Sequence, residues 1–441
     1  MKRFIFLASI SCCSAIYSQE IYTLDKCIAT GLERNYSIRI ILNEEQISSN
    51  NATLGNAGYL PSADLSGGYT GTTYNYDYDY MDGSSEKADY INSGVGTVGL
   101  NLNWTIFDGF GIQATYSKLQ ELQQMGKLNT RMAIEGLVAD IAAEYYNLIR
   151  QRIRLKNLRS AVRLSRERLR IVEERYTIGS MSRLDLQQAK VDFNADSSQL
   201  LNQFEAVNTS QIRLNELMGV DSVDNPINVI DSIALQTTLF EMDDIRQKMF
   251  SNNVSLLASQ KNIVLSELDY KKVLSRNYPY LRLNAGYGLQ TNSYETGTID
   301  FQRRLGWNYG VTVGFTVFDG NRRREQKNAR LTIKNSELRL KETELALKAD
   351  LSEIWKAYKN NLELWSLEKE NLVTANEHYE IAIERYKLGD LSGIELREAQ
   401  NNLLNAEERQ SIAEYNTKLC EISLLQLSGQ ILDYLFPKGN P

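Results

Sequence analysis

Few side chains in this chain have the type and spacing that catalysis requires. The single histidine, His378, lies in a helical pattern without a Cys or Ser nucleophile motif. The G-x-G pairs lie in strand patterns with no helix after them, so they are not nucleotide-binding loops (Gly94 and Gly96, Gly286 and Gly288). Acidic residues follow helix faces and not metal-ligand spacing. The sequence therefore predicts no enzyme, no metal site and no cofactor, and an exported enzyme is the third hypothesis.

Export is predicted from the first eighteen residues. Lys2 and Arg3 give the basic start of a secretory signal, residues 4–10 give its apolar segment, and residues 11–18 give its small-residue region. We expect cleavage after Ser18. The formal net charge of −6 gives no indication of a nucleic-acid partner.

The cysteines leave one alternative open. Residues 10–13 form an imperfect lipobox, so lipidation at Cys12 or Cys13 competes with simple cleavage. The mature chain then holds only Cys27 and Cys420, which form no recognisable disulfide framework. No later segment approaches the ~20 apolar residues of a membrane helix, so entry into a membrane would require a β-barrel.

The strongest feature of the sequence is an internal repeat. Five groups of residues recur in the same order about 210 to 218 positions further along the chain, which chance would not produce. The matches are Asn35–Ile38 with Asn253–Leu256, Trp104–Gly109 with Phe315–Gly320, Glu174–Gly179 with Glu384–Gly389, Leu186–Ala189 with Leu396–Ala399, and Leu217–Gly219 with Leu427–Gly429.

The repeat predicts one unit used twice: helix, strand, strand, long helix and shorter helix. Proline-free stretches with apolar residues near a 3.5-residue spacing indicate the long helices. Asp108–Gly109 and Asp319–Gly320 close the strand pairs, and both Asp side chains are predicted helix N-caps. The predicted bounds are 1–18 for the signal peptide, 19–225 for the first repeat with strands at about 62–107, and 226–437 for the second with strands at about 280–318.

The predicted strands have one apolar face and one face of Gly, Asn and Thr. In the second copy the apolar positions alternate over about eleven residues. They are Trp307, Tyr309, Val311, Val313, Phe315 and Val317. A membrane barrel needs such strands, with an apolar outside and a polar lumen. A half-buried sheet in a soluble domain has the same period, so the strands alone leave both interpretations open.

Three features of the sequence belong together: the paired Phe-Asp-Gly turns, the R-Y-x-x-G hairpin followed by L-x-x-A, and the doubled order of elements. In these features the chain resembles the TolC-type outer-membrane efflux proteins. The resemblance covers about residues 23–429. It implies a mixed α+β membrane protein that forms a homotrimer. Four strands per chain would close a 12-stranded β-barrel, continued by a long α-helical periplasmic tunnel.

The resemblance also implies a function and partners. It implies a passive exit channel of a tripartite efflux or type I secretion system, in the outer membrane of a Gram-negative bacterium. The partners would be a periplasmic adaptor protein, an inner-membrane transporter that supplies the energy, and outer-membrane lipid. A periplasmic coiled-coil adaptor or structural protein is the alternative, although it leaves the two strand pairs unexplained.

Within this resemblance, the two hairpin tips form the periplasmic entrance. Aligned on Tyr386 and Gly389, Glu395 and Glu398 fall on the acidic positions of the family's constriction, where the family has Asp. They lie one helical turn apart and can share a face, and three chains would gather six carboxylates that favour cations. Ordinary exposed helix charges would have the same spacing.

The resemblance assigns further residues to the tips. Tyr386 matches a position that holds the tips closed, whereas Leu391 replaces the expected Arg. Asp185 is the first-copy equivalent of Glu395. The residues expected to form the tips and to contact the adaptor are Arg175, Tyr176, Gly179, Arg385 and Gly389.

Overall fold

The computed structural model describes residues 21–230, 232–235 and 240–435. The predicted signal peptide with Cys12 and Cys13, and the predicted end of the second repeat at residue 437, lie outside these residues. The first part of the chain contains β1 (Ile21–Tyr22), α1 (Leu24–Arg34), α2 (Tyr36–Asn51), α3 (Leu54–Ala57), β2 (Ser62–Asp79), β3 (Ser85–Phe107), α4 (Gly111–Thr177) and α5 (Arg183–Met218).

The second part repeats this order. It contains β4 (Asn228–Val229), α6 (Met242–Asn252), α7 (Val254–Leu274), a 3-10 turn (Ser275–Asn277), β5 (Tyr280–Tyr294), β6 (Phe301–Gly314), α8 (Gly320–Leu388), α9 (Gly393–Leu427) and α10 (Ile431–Leu435). The predicted mixed fold of two tandem units, each with a long helix followed by a shorter one, is confirmed.

An asparagine divides the helical stretch that begins each repeat. The Asn35 side-chain oxygen accepts hydrogen bonds from the Ser37 and Ile38 amides, which starts α2, while its amide group donates to the Leu217 carbonyl at 2.9 Å. In the second repeat Asn253 separates α6 from α7 and donates to the Leu427 carbonyl at 3.0 Å. The repeated asparagines therefore attach each first helix to the end of its own return helix.

The four long strands form one antiparallel sheet in the order β2-β3-β5-β6. The pairing of β3 with β5 joins the two repeats, with Leu100 opposite Tyr287. The strand predicted to reach residue 318 ends earlier, because Gly314 pairs with Tyr280, the first residue of β5. Beyond Gly314, no strand among the described residues lies beside the chain to continue the ladder.

The apolar face of this sheet is uncovered. Four alternate residues of β6 are between 65% and 88% exposed, namely Trp307, Tyr309, Val311 and Val313. A half-buried sheet would bury one of its faces against another layer. No layer of the described residues does this, so that alternative is wrong for these strands.

Contacts divide the chain into two compact units, and each unit draws on both repeats. One unit contains 42–130 and 255–344, and therefore the whole four-stranded sheet. The other contains the described parts of 1–41, 131–254 and 345–441, and its core includes Ile28, Ile141, Leu148 and Leu214, each fully buried. Burial of each such side chain contributes roughly 1.5–3 kcal/mol.

Among the described residues, no helix combines the length and the apolar character needed to cross a bilayer.

Candidate functional site

Each helix hairpin turns at a glycine with positive φ. Gly179 has φ +79°, its amide donates to the Tyr176 carbonyl at 3.0 Å, and the Ser180 amide donates to the Arg175 carbonyl at 2.9 Å. This pair of bonds is the Schellman helix end, which favours glycine because a Cβ is strained at this φ. The second tip repeats it, with φ +85° at Gly389 and bonds from Gly389 to Tyr386 and from Asp390 to Arg385.

A capping box begins each return helix. The Ser182 hydroxyl accepts from the Asp185 amide and the Asp185 carboxylate accepts from the Ser182 amide, both at 3.1 Å. Ser392 and Glu395 make the same two bonds at 3.2 and 2.9 Å. The pKa values of Asp185 and Glu395 are lowered because the serine hydroxyl and amide donate to the charged carboxylate. Two of the predicted gate carboxylates therefore also start helices.

Glu395 and Glu398 share the exposed side of α9. Leu396 and Ala399, the neighbours of these glutamates in sequence, are buried in a small cluster with Tyr386. Both glutamates are exposed. The structure thus places two carboxylates on one solvent-facing surface of the first turns of α9.

The two equivalent tip tyrosines have different environments. Tyr386 is 1% exposed, packs with Ile171 of α4, and lies with its ring centroid 5.6 Å from the Arg175 guanidinium. Burial raises the pKa of the Tyr386 hydroxyl. Tyr176 is 40% exposed. Tyr386 therefore connects the second hairpin to the first, whereas the Tyr176 side chain remains exposed.

Two further tip residues have local contacts. Leu391, at the position where the resemblance led us to expect Arg, is partly buried against the Tyr386 cluster. Arg385 forms an exposed ion pair with Asp390 at 3.0 Å. Such exposed pairs contribute little stability, so the apolar cluster is the main contact of this tip.

The strand-to-helix turns are shaped by their Asp-Gly pairs. The Asp108 carboxylate accepts from the Ile112 amide, and the Asp319 carboxylate accepts from the Asn321 amide, both at 2.9 Å. Gly109 has φ +74°, and a side chain there would collide with the Ser275 carbonyl. Gly320 is the first residue of α8.

A buried polar cluster between the hairpins was not found from the sequence. Both terminal nitrogens of the Arg397 guanidinium donate to the Asp196 carboxylate at 2.6 Å, and the Ser165 hydroxyl donates to the same carboxylate. Gln400 donates to the Ala161 carbonyl at 3.3 Å, and Arg168 pairs with Asp192. One feature of the sequence could have indicated this cluster, because its charged residues occur in only one of the two repeats.

No three His, Cys, Asp or Glu side chains in the described part of the chain form a group that could hold a metal ion.

The fold is shared with solved outer-membrane channels. The Campylobacter jejuni CmeC outer membrane channel has a TM-score of 0.78 at 16% identity, over 92% of this chain and 86% of that chain. The Neisseria gonorrhoeae MtrE outer membrane channel, solved in an open state, has a TM-score of 0.70 at 15% identity, over 92% and 89%. The architecture is thus that of an outer-membrane channel protein with a helical part and a β domain.

Sequence comparison gives the same result. The outer membrane protein TolC of Vibrio cholerae is 20% identical over 305 residues, 67% of this chain and 68% of that protein. The outer membrane efflux protein family matches residues 28–220 and 245–430. The chain therefore belongs to the outer membrane efflux protein family, and its location is the outer membrane. The adaptor alternative finds no support in these similarities.

Proposed function

We propose that three copies of this chain form a passive exit channel for a tripartite efflux or type I secretion system. A periplasmic adaptor and an inner-membrane transporter open it and drive the cargo. The channel itself carries out no chemical step. Family membership supports the transport role. The open sheet and the hairpin tips support the assembly of three copies.

The observation that carries the proposal is the open sheet. Its outer strands, β2 and β6, have 18 and 14 residues and no further partner strand in the described chain. Long unpaired edges are a liability in water and are not tolerated in lipid. Pairing of β2 in one copy with β6 in the next removes both edges, and three copies then give twelve strands. The uncovered apolar residues of β6 suit a surface that faces lipid.

The hairpin tips supply the entrance in this proposal. Glu395 and Glu398 of three copies contribute a ring of six carboxylates, and Asp185 contributes a further carboxylate from each first hairpin. Tyr386 holds the second tip against the first through the contacts with Ile171 and Arg175. The ring of carboxylates is supported by the position of Glu395 and Glu398, which lie on the same exposed side of α9.

Detergent-purified mature protein tests this function. We expect light scattering to give the mass of three chains, and planar bilayers to show discrete conductance steps. Val311→Pro should abolish both, because proline removes a ladder hydrogen bond from β6, whereas Thr298→Pro in the β5–β6 turn should retain them. A monomer without conductance steps would overturn the proposal.

A further inference from the structure

A polar cavity lies where the second strand pair joins its long helix. Its volume is about 640 Å³, and it is lined by the end of α7, the start of β5, the segment after β6 and the start of α8. Its lining includes the basic side chains Lys272, Arg276, Arg282 and Arg322. The whole cavity belongs to the unit that contains the four-stranded sheet. The site therefore lies within one chain and is separate from the hairpin tips.

Arg322 has an incomplete set of hydrogen bonds. It begins a run of three arginines at 322–324. Its guanidinium donates to the Thr316 carbonyl at 2.6 Å, whereas its Nε is buried and has no partner among the described residues. Leaving a buried donor of a charged group without an acceptor is costly. The orphaned nitrogen therefore indicates that an acceptor from outside the chain binds here.

Two further cations of the cavity have no counter-ion. Neither Lys272 nor Arg282 forms an ion pair with any residue in the described part of the chain. The Arg282 guanidinium lies over the Tyr280 ring, 4.6 Å from its centroid. An arginine stacked in this way keeps its N–H edge available for an acceptor. Arg276, in contrast, pairs with Glu325.

The acidic residues of the cavity have other partners. Asp269 forms an ion pair with Lys118 at 2.6 Å. Asp108 and Asp319 accept the amide hydrogen bonds at the starts of α4 and α8. The positive ends of these two helices compensate part of the carboxylate charge. Among the described residues, no carboxylate thus pairs with the three free cations of the cavity.

The side of the sheet that carries Arg282 places the cavity. Arg282 lies opposite Thr312, and Tyr280 lies opposite Gly314, in the β5–β6 ladder. Directly opposite residues of an antiparallel pair share one side of the sheet. This is the side of Gly, Asn and Thr, which faces the lumen in the proposed channel. The lumenal position rests on that proposed function, whereas the cavity itself does not.

The first repeat does not carry the same charges. The strands repeat with an offset of 218, which places Asp64 at the position equivalent to Arg282. The starts of the long helices repeat with an offset of 211, which places Gly111 at the position equivalent to Arg322. The repeated architecture therefore does not require these basic residues, and they have a role specific to the second repeat.

We propose that this cavity binds a soluble phosphate group. The guanidinium groups of Arg282 and Arg322 donate N–H bonds to the phosphate oxygens, and the Lys272 ammonium adds a third positive charge. The volume falls in the range of small-molecule sites, roughly 300–1,000 Å³, so the rest of an organic phosphate also fits. In the trimer, three such sites give the lumen a positive charge, opposite in sign to that of the predicted gate.

Inorganic pyrophosphate is the probe for this site. Isothermal titration calorimetry of the detergent-purified protein, at constant ionic strength, should show binding. Lys272→Gln with Arg282→Gln should weaken it at least about tenfold, because two charge-assisted contacts are lost. The matched control is Lys334→Gln with Lys341→Gln, which removes the same charge from exposed positions of α8. Both double variants should keep the melting temperature of the original protein without the probe.

The outcomes separate this inference from the proposed function. A trimer with conductance steps that binds no pyrophosphate, or equal binding by the two double variants, would overturn the site and leave the channel standing. A monomer that binds pyrophosphate would overturn the channel and leave the site. Heat from phosphatidylglycerol micelles without heat from pyrophosphate would overturn the soluble ligand in favour of a lipid headgroup.

Planar bilayers test the lumenal position. Pyrophosphate should reduce the conductance of the original protein and of the Lys334→Gln, Lys341→Gln control, because a bound anion occupies the path of the ions. It should have much less effect on the Lys272→Gln, Arg282→Gln variant. Binding by calorimetry without any block would overturn the position in the lumen.

Discussion

At the scale of single residues, Glu395 has two properties that need separate tests. Its carboxylate closes the capping box of α9, and it also adds charge to the exposed side shared with Glu398. Replacement by alanine would remove both. Glutamine can still close a capping box, so Glu395→Gln removes the charge and keeps the helix start.

We therefore predict that Glu395→Gln with Glu398→Gln raises single-channel conductance and weakens block by divalent cations. The reason is that six carboxylates no longer gather near the channel axis in the trimer. Planar-bilayer recordings with and without Mg²⁺ measure both effects. The control is Glu337→Gln with Glu342→Gln, which removes the same charge from exposed positions of α8 far along the helix. Equal conductance and block in both double variants would contradict the gate assignment.

At the scale of elements, the sequence predicted what depends on local pattern. The repeat and its spacing gave the order of helices and strands, and Gly179 and Gly389 marked the turns. The split of the first helix at Asn35 was missed, because it depends on a bond to Leu217, 182 residues away. The Asp196–Arg397 pair was missed for the same reason. The end of β6 depends on where β5 begins, and alternation of residues alone does not show this.

The capping boxes give a pH-dependent prediction at this scale. The pKa values of Asp185 and Glu395 are lowered by bonds from the helix starts, so their stabilisation is complete above the ordinary carboxyl pKa, about 4. It is lost as the pH falls through the lowered pKa values. Hydrogen-exchange protection of the Asp185 and Glu395 amides should therefore drop in acid. Asp185→Asn and Glu395→Gln should remove this pH step at their own helices, and a step that persists would contradict the assignment.

At the scale of the whole molecule, the two repeats are alike in order but unequal in their contacts. In the described part of the chain, one buried bidentate ion pair, Arg397 with Asp196, lies between the two hairpins. Removing one partner of a buried pair costs about 3–5 kcal/mol, because the other charge remains buried. The two hairpins of one copy should therefore stay together when the entrance of the proposed trimer opens.

Removing one partner of this pair tests its contribution. Arg397→Gln should lower the melting temperature of the protein in detergent, because it leaves the buried Asp196 carboxylate without its guanidinium. Arg385→Gln is the control, because it breaks an exposed ion pair and should change the melting temperature little. An equal effect of the two substitutions would contradict the role of the buried pair.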